Sequence, residues 1–170
     1  HTQLYKRGKA GEPIQFGRLL LVYEDAAGFI THHHVLPREA ADRDVVVEQT
    51  RIVQQRLGGQ IEEASFDRGF HPPENQQQLA TILKHPCLPK LGKQGEELQQ
   101  SSVRFRQARQ RHPGVESAIG ALQAGNGLER CRDKSELGFD RFVSLGVLGR
   151  NLQVLGKVLI AREASRSEAA

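Results

Sequence analysis

The sequence predicts a mixed α/β fold, and three observations carry that expectation. Apolar, β-branched runs of strand length alternate with longer stretches whose apolar residues recur at helical spacing. Gly and Pro punctuation falls between them, at Gly28, Gly58-Gly59, Pro72-Pro73, Pro113 and Gly127. Hydrophobic residues make up 38% of a 170-residue chain, enough for a buried core and too many for general disorder.

Taken in order, residues 13–23 contain IQFGRLLLV, a buried strand, and Glu24-Asp25-Ala26-Ala27-Gly28 is a turn signal. Residues 29–36 (FITHHHVL) resume a strand, so the short connection makes an antiparallel hairpin. Asp42 or Asp44 caps a helix to Leu57, on which Val46, Gln49 and Val53 follow helical spacing, and Gly58-Gly59 stops it. A strand over 61–66 (IEEASF) is followed by a helix that Pro72-Pro73 opens and that runs to Leu83. A short strand over 86–89 and a polar stretch over 90–100 come next. A basic helix spans 99–111, and another starts near Gly114 with Val115, Ile119 and Leu122 inward. The last helix covers 139–160 with Phe142, Leu145, Leu148, Leu152, Leu155 and Leu159 on its buried face, and 161–170 is a frayed tail.

Strand–helix–strand alternation in the second half implies parallel strands, whereas the first half is antiparallel. One mixed sheet with helices on its faces follows, occupying 1–160 as one domain. Its element order is that of a ribonuclease H-like fold lacking its first strand. Fold alone assigns no function.

Composition narrows the classes of partner. The net charge is +4 and the sequence pI about 9.3, with 17 Arg against 7 Lys; arginine forks suit phosphate. Aromatics are 5% and Trp is absent, which argues against an aromatic base-stacking platform. The C-terminal apolar run is cut by Arg150 and Lys157, so no membrane span is expected. Cys87 and Cys131 have no metal-ligand spacing and read as reduced thiols of a cytoplasmic protein, and no signal peptide is expected, since HTQLYKRGKAGEPIQ lacks an apolar core. Met is absent and position 1 is His, so a processed product or a fragment is expected.

Two acids stand at chemically useful places. Asp67 follows a strand and precedes Gly69, and the carboxyl ends of strands in α/β sheets are where ligands and metals bind. As a lone residue it reads first as a cap of the next turn or helix. Glu116 falls at a helix start, where a carboxylate also suits the helix dipole. His32-His33-His34 would need further convergent ligands to bind zinc and reads instead as a polar strand. Arg104, Arg106, Arg109 and Arg111 form either a solvated face or a set of sequence-independent DNA phosphate contacts.

Over nearly its whole length the chain resembles the DDE transposases of bacterial insertion sequences. The blocks that carry the resemblance are Lys6-Arg7-Gly8-Lys9-Ala10-Gly11-Glu12-Pro13 with Phe16-Gly17, Phe66-Asp67-Arg68-Gly69-Phe70-His71, and Val115-Glu116-Ser117-Ala118-Ile119. A last block runs Gly127-Leu128-Glu129-Arg130-Cys131-Arg132, then Gly138-Phe139-Asp140-Arg141 and Asn151-Leu152. The resemblance implies that Asp67 matches the family's second catalytic Asp and Glu116 its catalytic Glu. The family's first Asp precedes the basic block, so it is expected before His1, and Asp25 sits at the wrong end of a strand to replace it. Arg109, His112 and Gln123 stand where some relatives carry auxiliary Tyr, Arg and Lys residues.

The implied chemistry is in-line displacement at phosphorus with two divalent ions, Mg²⁺ or Mn²⁺, held by Asp67, Glu116 and the upstream Asp. The implied partners are DNA, as transposon ends and target, and further copies of the full-length parent, in the bacterial cytoplasm at the nucleoid. Arg130 and Arg132 join the arginine run as expected DNA contacts. Alone, this chain is expected to be inactive. The alternatives are a non-catalytic DNA-binding remnant of a decayed element and a ribonuclease H-like nuclease.

Overall fold

The chain begins with two two-stranded ladders where one hairpin was expected. A computed structural model describes residues 3–6, 14–70, 72–89, 92 and 101–168. The basic block over 7–13, His71 and most of the polar stretch over 90–100 lie outside the described residues. Strands β1 (Gln3–Lys6) and β2 (Ile14–Gly17) pair antiparallel, with Gln3 opposite Gly17 and Lys6 opposite Ile14. The strand expected over 13–23 is interrupted after Gly17, a residue that weakens strand interiors, and resumes as β3 (Leu20–Glu24). β3 pairs with β4 (Ile30–Val35). Asp25 builds their turn: its Oδ1 accepts from Ala27 N and Phe29 N, both at 2.9 Å, and Gly28 takes φ 88°.

Helix α1 (Asp42–Arg56) starts as its sequence dictates, with the Asp44 carboxylate accepting from Ala41 N at 3.3 Å. Gly58 and Gly59, at φ 63° and 75°, end it in the left-handed region. Its buried side carries Val46, Val47, Gln49, Thr50 and Val53. β5 (Glu63–Ser65), a 3₁₀ turn (Arg68–Phe70), α2 (Pro73–Ile82) and β6 (His85–Cys87) form the βαβ unit expected from alternation. β5 and β6 are parallel, Ser65 lies opposite Cys87, and Phe66 N prolongs the ladder to Cys87 O at 3.1 Å. The Gln54 amide brackets the entry to β5: Nε2 donates to Ile61 O at 2.9 Å and Oε1 accepts from Ile61 N at 3.0 Å.

The described strands form three separate two-stranded ladders, β1–β2, β3–β4 and β5–β6, and not the one mixed sheet expected. One cause is visible at β4. Ile30 N donates to Asn151 Oδ1 at 2.8 Å and Ile30 O accepts from Asn151 Nδ2 at 3.0 Å, so a side-chain amide fills a place where a strand would pair.

The remaining elements are helical: α3 (Val103–Arg111), α4 (Pro113–Gly120), a π turn (Ala121–Gly125) and α5 (Glu136–Glu168). On α4 the buried residue is Ala118, followed by Leu122, whereas Ile119, expected inward, is exposed. α5 is longer than expected at both ends. Ser135 caps it, its Oγ accepting from Gly138 N at 2.9 Å. The tail expected to fray after residue 160 is helical to Glu168, where Ala161, Arg162, Glu163 and Ala164 are strong helix formers.

The inward face of α5 is also not the expected one. Val143, Val147 and Val154 are buried, while Leu145, Leu148, Leu152, Leu155 and Leu159 are exposed. Glycines decide which side packs. A Cβ on Gly146 would stand 2.9 Å from Leu128 Cδ2, and one on Gly149 would stand 3.0 Å from Asn126 Nδ2. Only the glycine side lets the preceding loop approach so closely.

The chain divides into two compact units, His1–Val22 with His33–Gln110, and Tyr23–His32 with Arg111–Ala170. In the first, Val46, Val53, Phe66, Leu79, Leu83 and Leu88 form the core. In the second, Ile30, Ala118, Leu122, Val143 and Val147 do so, with His32, expected on a polar strand, buried and its ring 5.7 Å from that of Tyr23.

Candidate metal and DNA-binding residues

Asp67 lies two residues beyond β5, past the carboxyl end of the parallel β5–β6 pair. Phe66 beneath it is buried and packs edge-on against Phe70, with ring centroids 6.3 Å apart, which fixes the backbone on both sides of the acid. The side chain itself is exposed. Its Oδ1 accepts from Arg68 N at 2.6 Å, and its carbonyl accepts from Phe70 N at 3.2 Å to close the 3₁₀ turn. Asp67 therefore caps a turn and also presents a carboxylate to solvent. The two readings of the sequence describe one residue.

Glu116 stands in the first turn of α4, exposed, as its sequence position predicts. Asp67 belongs to the first unit and Glu116 to the second. Among the described residues, no group of three or more His, Cys, Asp or Glu side chains is gathered as a metal site. The donor chemistry of the two exposed carboxylates suits a hard cation such as Mg²⁺ or Mn²⁺.

The arginines separate into structural and exposed members. Arg109 is half-buried and its Nη1 donates to Phe66 O at 3.0 Å, tying α3 to the strand end that carries Asp67. Arg104 pairs with Glu63 at 3.5 Å. At 100° per residue, Arg104 and Arg111 share one side of α3 while Arg106 lies nearly opposite, so the run is not a single basic face. Arg106 and Arg111 are exposed, as are Arg130 and Arg132 on the loop before α5. These last two line an open, shallow concavity with Cys131, Asp133 and Lys134, in which Asp133 is held by Arg141 at 3.1 Å.

One acid was not singled out by sequence. Burial raises the Glu24 carboxyl above its ordinary range; Arg150 opposes the rise and Asp25 reinforces it. A Cβ added to Gly114 would stand 3.8 Å from Glu24 Oε2, so this carboxylate borders the start of α4. A Glu-Asp pair before a turn carries no signal of that contact in sequence. In the first unit, the Cys87 thiol is pushed up by burial and by Glu63, with Arg104 and Arg109 opposing.

Searches against protein-family models, curated proteins and solved structures find no match to this chain.

Proposed function

We propose that this chain is part of a DDE transposase of the bacterial insertion-sequence type, with a ribonuclease H-like catalytic fold, acting on DNA with Mg²⁺ or Mn²⁺ in the bacterial cytoplasm. The observation that carries the reading is Asp67. The residue that the resemblance marks as a catalytic acid stands exposed beyond the carboxyl end of a parallel strand pair, where α/β folds bind ligands. Glu116, exposed in the first turn of α4, is the second acid.

On this reading Asp67 and Glu116 each contribute carboxylate oxygens to divalent ions. When bound, such ions activate the attacking oxygen and steady the leaving oxygen of an in-line displacement at phosphorus. The chain's own residues supply the frame. Phe66 and Phe70 fix the backbone around Asp67, and Arg109 holds α3 to the same strand end. Arg111, Arg130 and Arg132, with Arg104 and Arg106, add positive charge for DNA phosphates without reading sequence.

Mn²⁺ binding, followed by loss of the free-ion electron paramagnetic resonance signal, tests the assignment. The chain should bind Mn²⁺ weakly, and Asp67→Asn with Glu116→Gln should abolish that binding while the far-ultraviolet circular dichroism stays unchanged. Mn²⁺ binding that survives the double substitution would remove both residues from the site.

A further inference from the structure

We infer that the outer face of α5 pairs with the same face of a second copy of this chain as a leucine coiled-coil seam. This inference stands apart from the transposase proposal.

Leu145, Leu148, Leu152, Leu155 and Leu159 follow one another at intervals of three, four, three and four residues. That 3.5-residue repeat keeps a stripe facing a partner helix over successive turns, with leucines at the a and d positions of the heptad. All five are between 42% and 59% exposed. In the same heptad frame Val143, Gly146, Val147 and Val154, which are buried within their own unit, take b, c and f positions, while Gly149 at e and Asn151 at g meet that unit from the flanks. The helix is therefore apolar on two opposite sides. One is used within its unit, and the other has the spacing of a helix–helix seam.

The occupant is indicated by what the rest of the chain offers. Among the described residues, the only large exposed apolar side chains off α5 are Leu57, just past α1, Val103 on α3 and Ile119 on α4. None makes a stripe that could match five leucines. The surface that does match is the stripe itself, and a self-complementary patch is what an isologous two-fold contact requires. The area agrees. Five half-exposed leucines leave about 500 Å² uncovered, toward the upper end for a monomer's largest apolar patch. Two copies would bury about 1,000 Å², the lower bound for a specific interface. Gly156 adds room beside the seam, since a Cβ there would meet nothing within 4 Å.

Sedimentation velocity of the full chain across the micromolar range should give a concentration-dependent dimer. Leu148→Glu with Leu155→Glu should give a monomer with unchanged helical circular dichroism. A wild-type monomer throughout, or a dimer that persists in the double variant, overturns the inference. So does a chain that stays monomeric in solution and floats with phosphatidylcholine vesicles, because α5 is long and apolar enough to meet a bilayer instead. Should the double variant fail to fold, cysteine cross-linking decides. Leu152 is midway between Leu145 and Leu159, so it falls near the two-fold axis whichever way the helices run. In a Cys131→Ser background, Leu152→Cys should cross-link between copies with a short bismaleimide and Lys157→Cys should not. Equal cross-linking of the two, or none at Leu152→Cys, also overturns it.

Discussion

Replacing Asn151 by Ala removes both hydrogen bonds that its amide makes to the backbone of Ile30, at 2.8 and 3.0 Å. Ile30 is only 4% exposed, so its N–H and C=O then have to recover partners from water at a half-buried site. An orphaned buried polar group costs about 1–3 kcal/mol; partial access at Asn151 favours the low end, about 2 kcal/mol for the pair. Ala is the better helix former by roughly 0.6 kcal/mol, which leaves a net loss of about 1.5 kcal/mol. For a chain of this size that corresponds to a fall in Tm of about 3–6 °C. Asn151→Asp separates the bracket from simple volume loss. The carboxylate still accepts from Ile30 N but faces Ile30 O without a donor, so this variant should be less stable than wild type at neutral pH. Acidification should narrow the gap, because a protonated carboxyl donates to Ile30 O again. Thermal melts of the three proteins at neutral and mildly acid pH check both effects. An Ala variant that melts with wild type, or an Asp variant whose deficit ignores pH, would refute the bracket.

Three further outcomes follow from other sites. Arg111→Gln, Arg130→Gln and Arg132→Gln together should lower the salt dependence of DNA binding by about one unit for each phosphate interaction removed, whereas Arg109→Gln should lower Tm and leave the salt slope alone. Filter binding across a salt series with each protein distinguishes the two roles. Because the folded carboxyl of Glu24 titrates above its unfolded value, the folded state binds the extra proton, and stability should decline as pH rises from the ordinary carboxylate range through the raised pKa. Glu24→Gln should remove that decline, and an identical stability–pH curve for the variant would rule out the buried carboxylate as its source. Cys87, buried and with its thiol pushed up by that burial, should react with an alkylating reagent far more slowly than Cys131 on its loop, as peptide mapping of partly labelled protein would report.

Local chemistry was legible where a residue's role is settled by its neighbours in sequence. Asp44 ahead of the Val-rich run marks the start of α1, and Gly58-Gly59 marks its end, because capping and positive φ are local demands. The parallel direction of β5 and β6 follows from the helix between them. Asp67 and Glu116 fall at a strand end and a helix start as read. What the sequence does not carry is the choice between two faces that share a period. α5 has a leucine stripe and a valine–glycine stripe, both at helical spacing, and greater hydrophobicity favoured the leucines. Packing followed closeness of approach at Gly146 and Gly149, a property of the loop at Asn126 and Leu128 rather than of the helix. The Asn151 bracket is equally hidden, since it joins residues 121 positions apart through a side chain that reads as an ordinary polar helix residue. The hydrogen bond from Arg109 to the Phe66 carbonyl is hidden too, since no sequence pattern reports a backbone partner.

The bracket at Gln54 bears on motion. Ile61 belongs to no ladder, yet its amide hydrogen is held by the Gln54 side chain, whose amide nitrogen donates to the carbonyls of Ile61 and, at 3.3 Å, of Ile82 at the end of α2. Hydrogen exchange at Ile61 therefore reports the loosening of this clasp between the ends of α1 and α2 instead of the opening of β5. Because Gln54 is only seven residues away, this clasp closes a short loop at small entropic cost, so it can form before the β5–β6 ladder does. The segment leading to β5, and through it Asp67, would then be anchored to α1 early in folding, ahead of any pairing between strands.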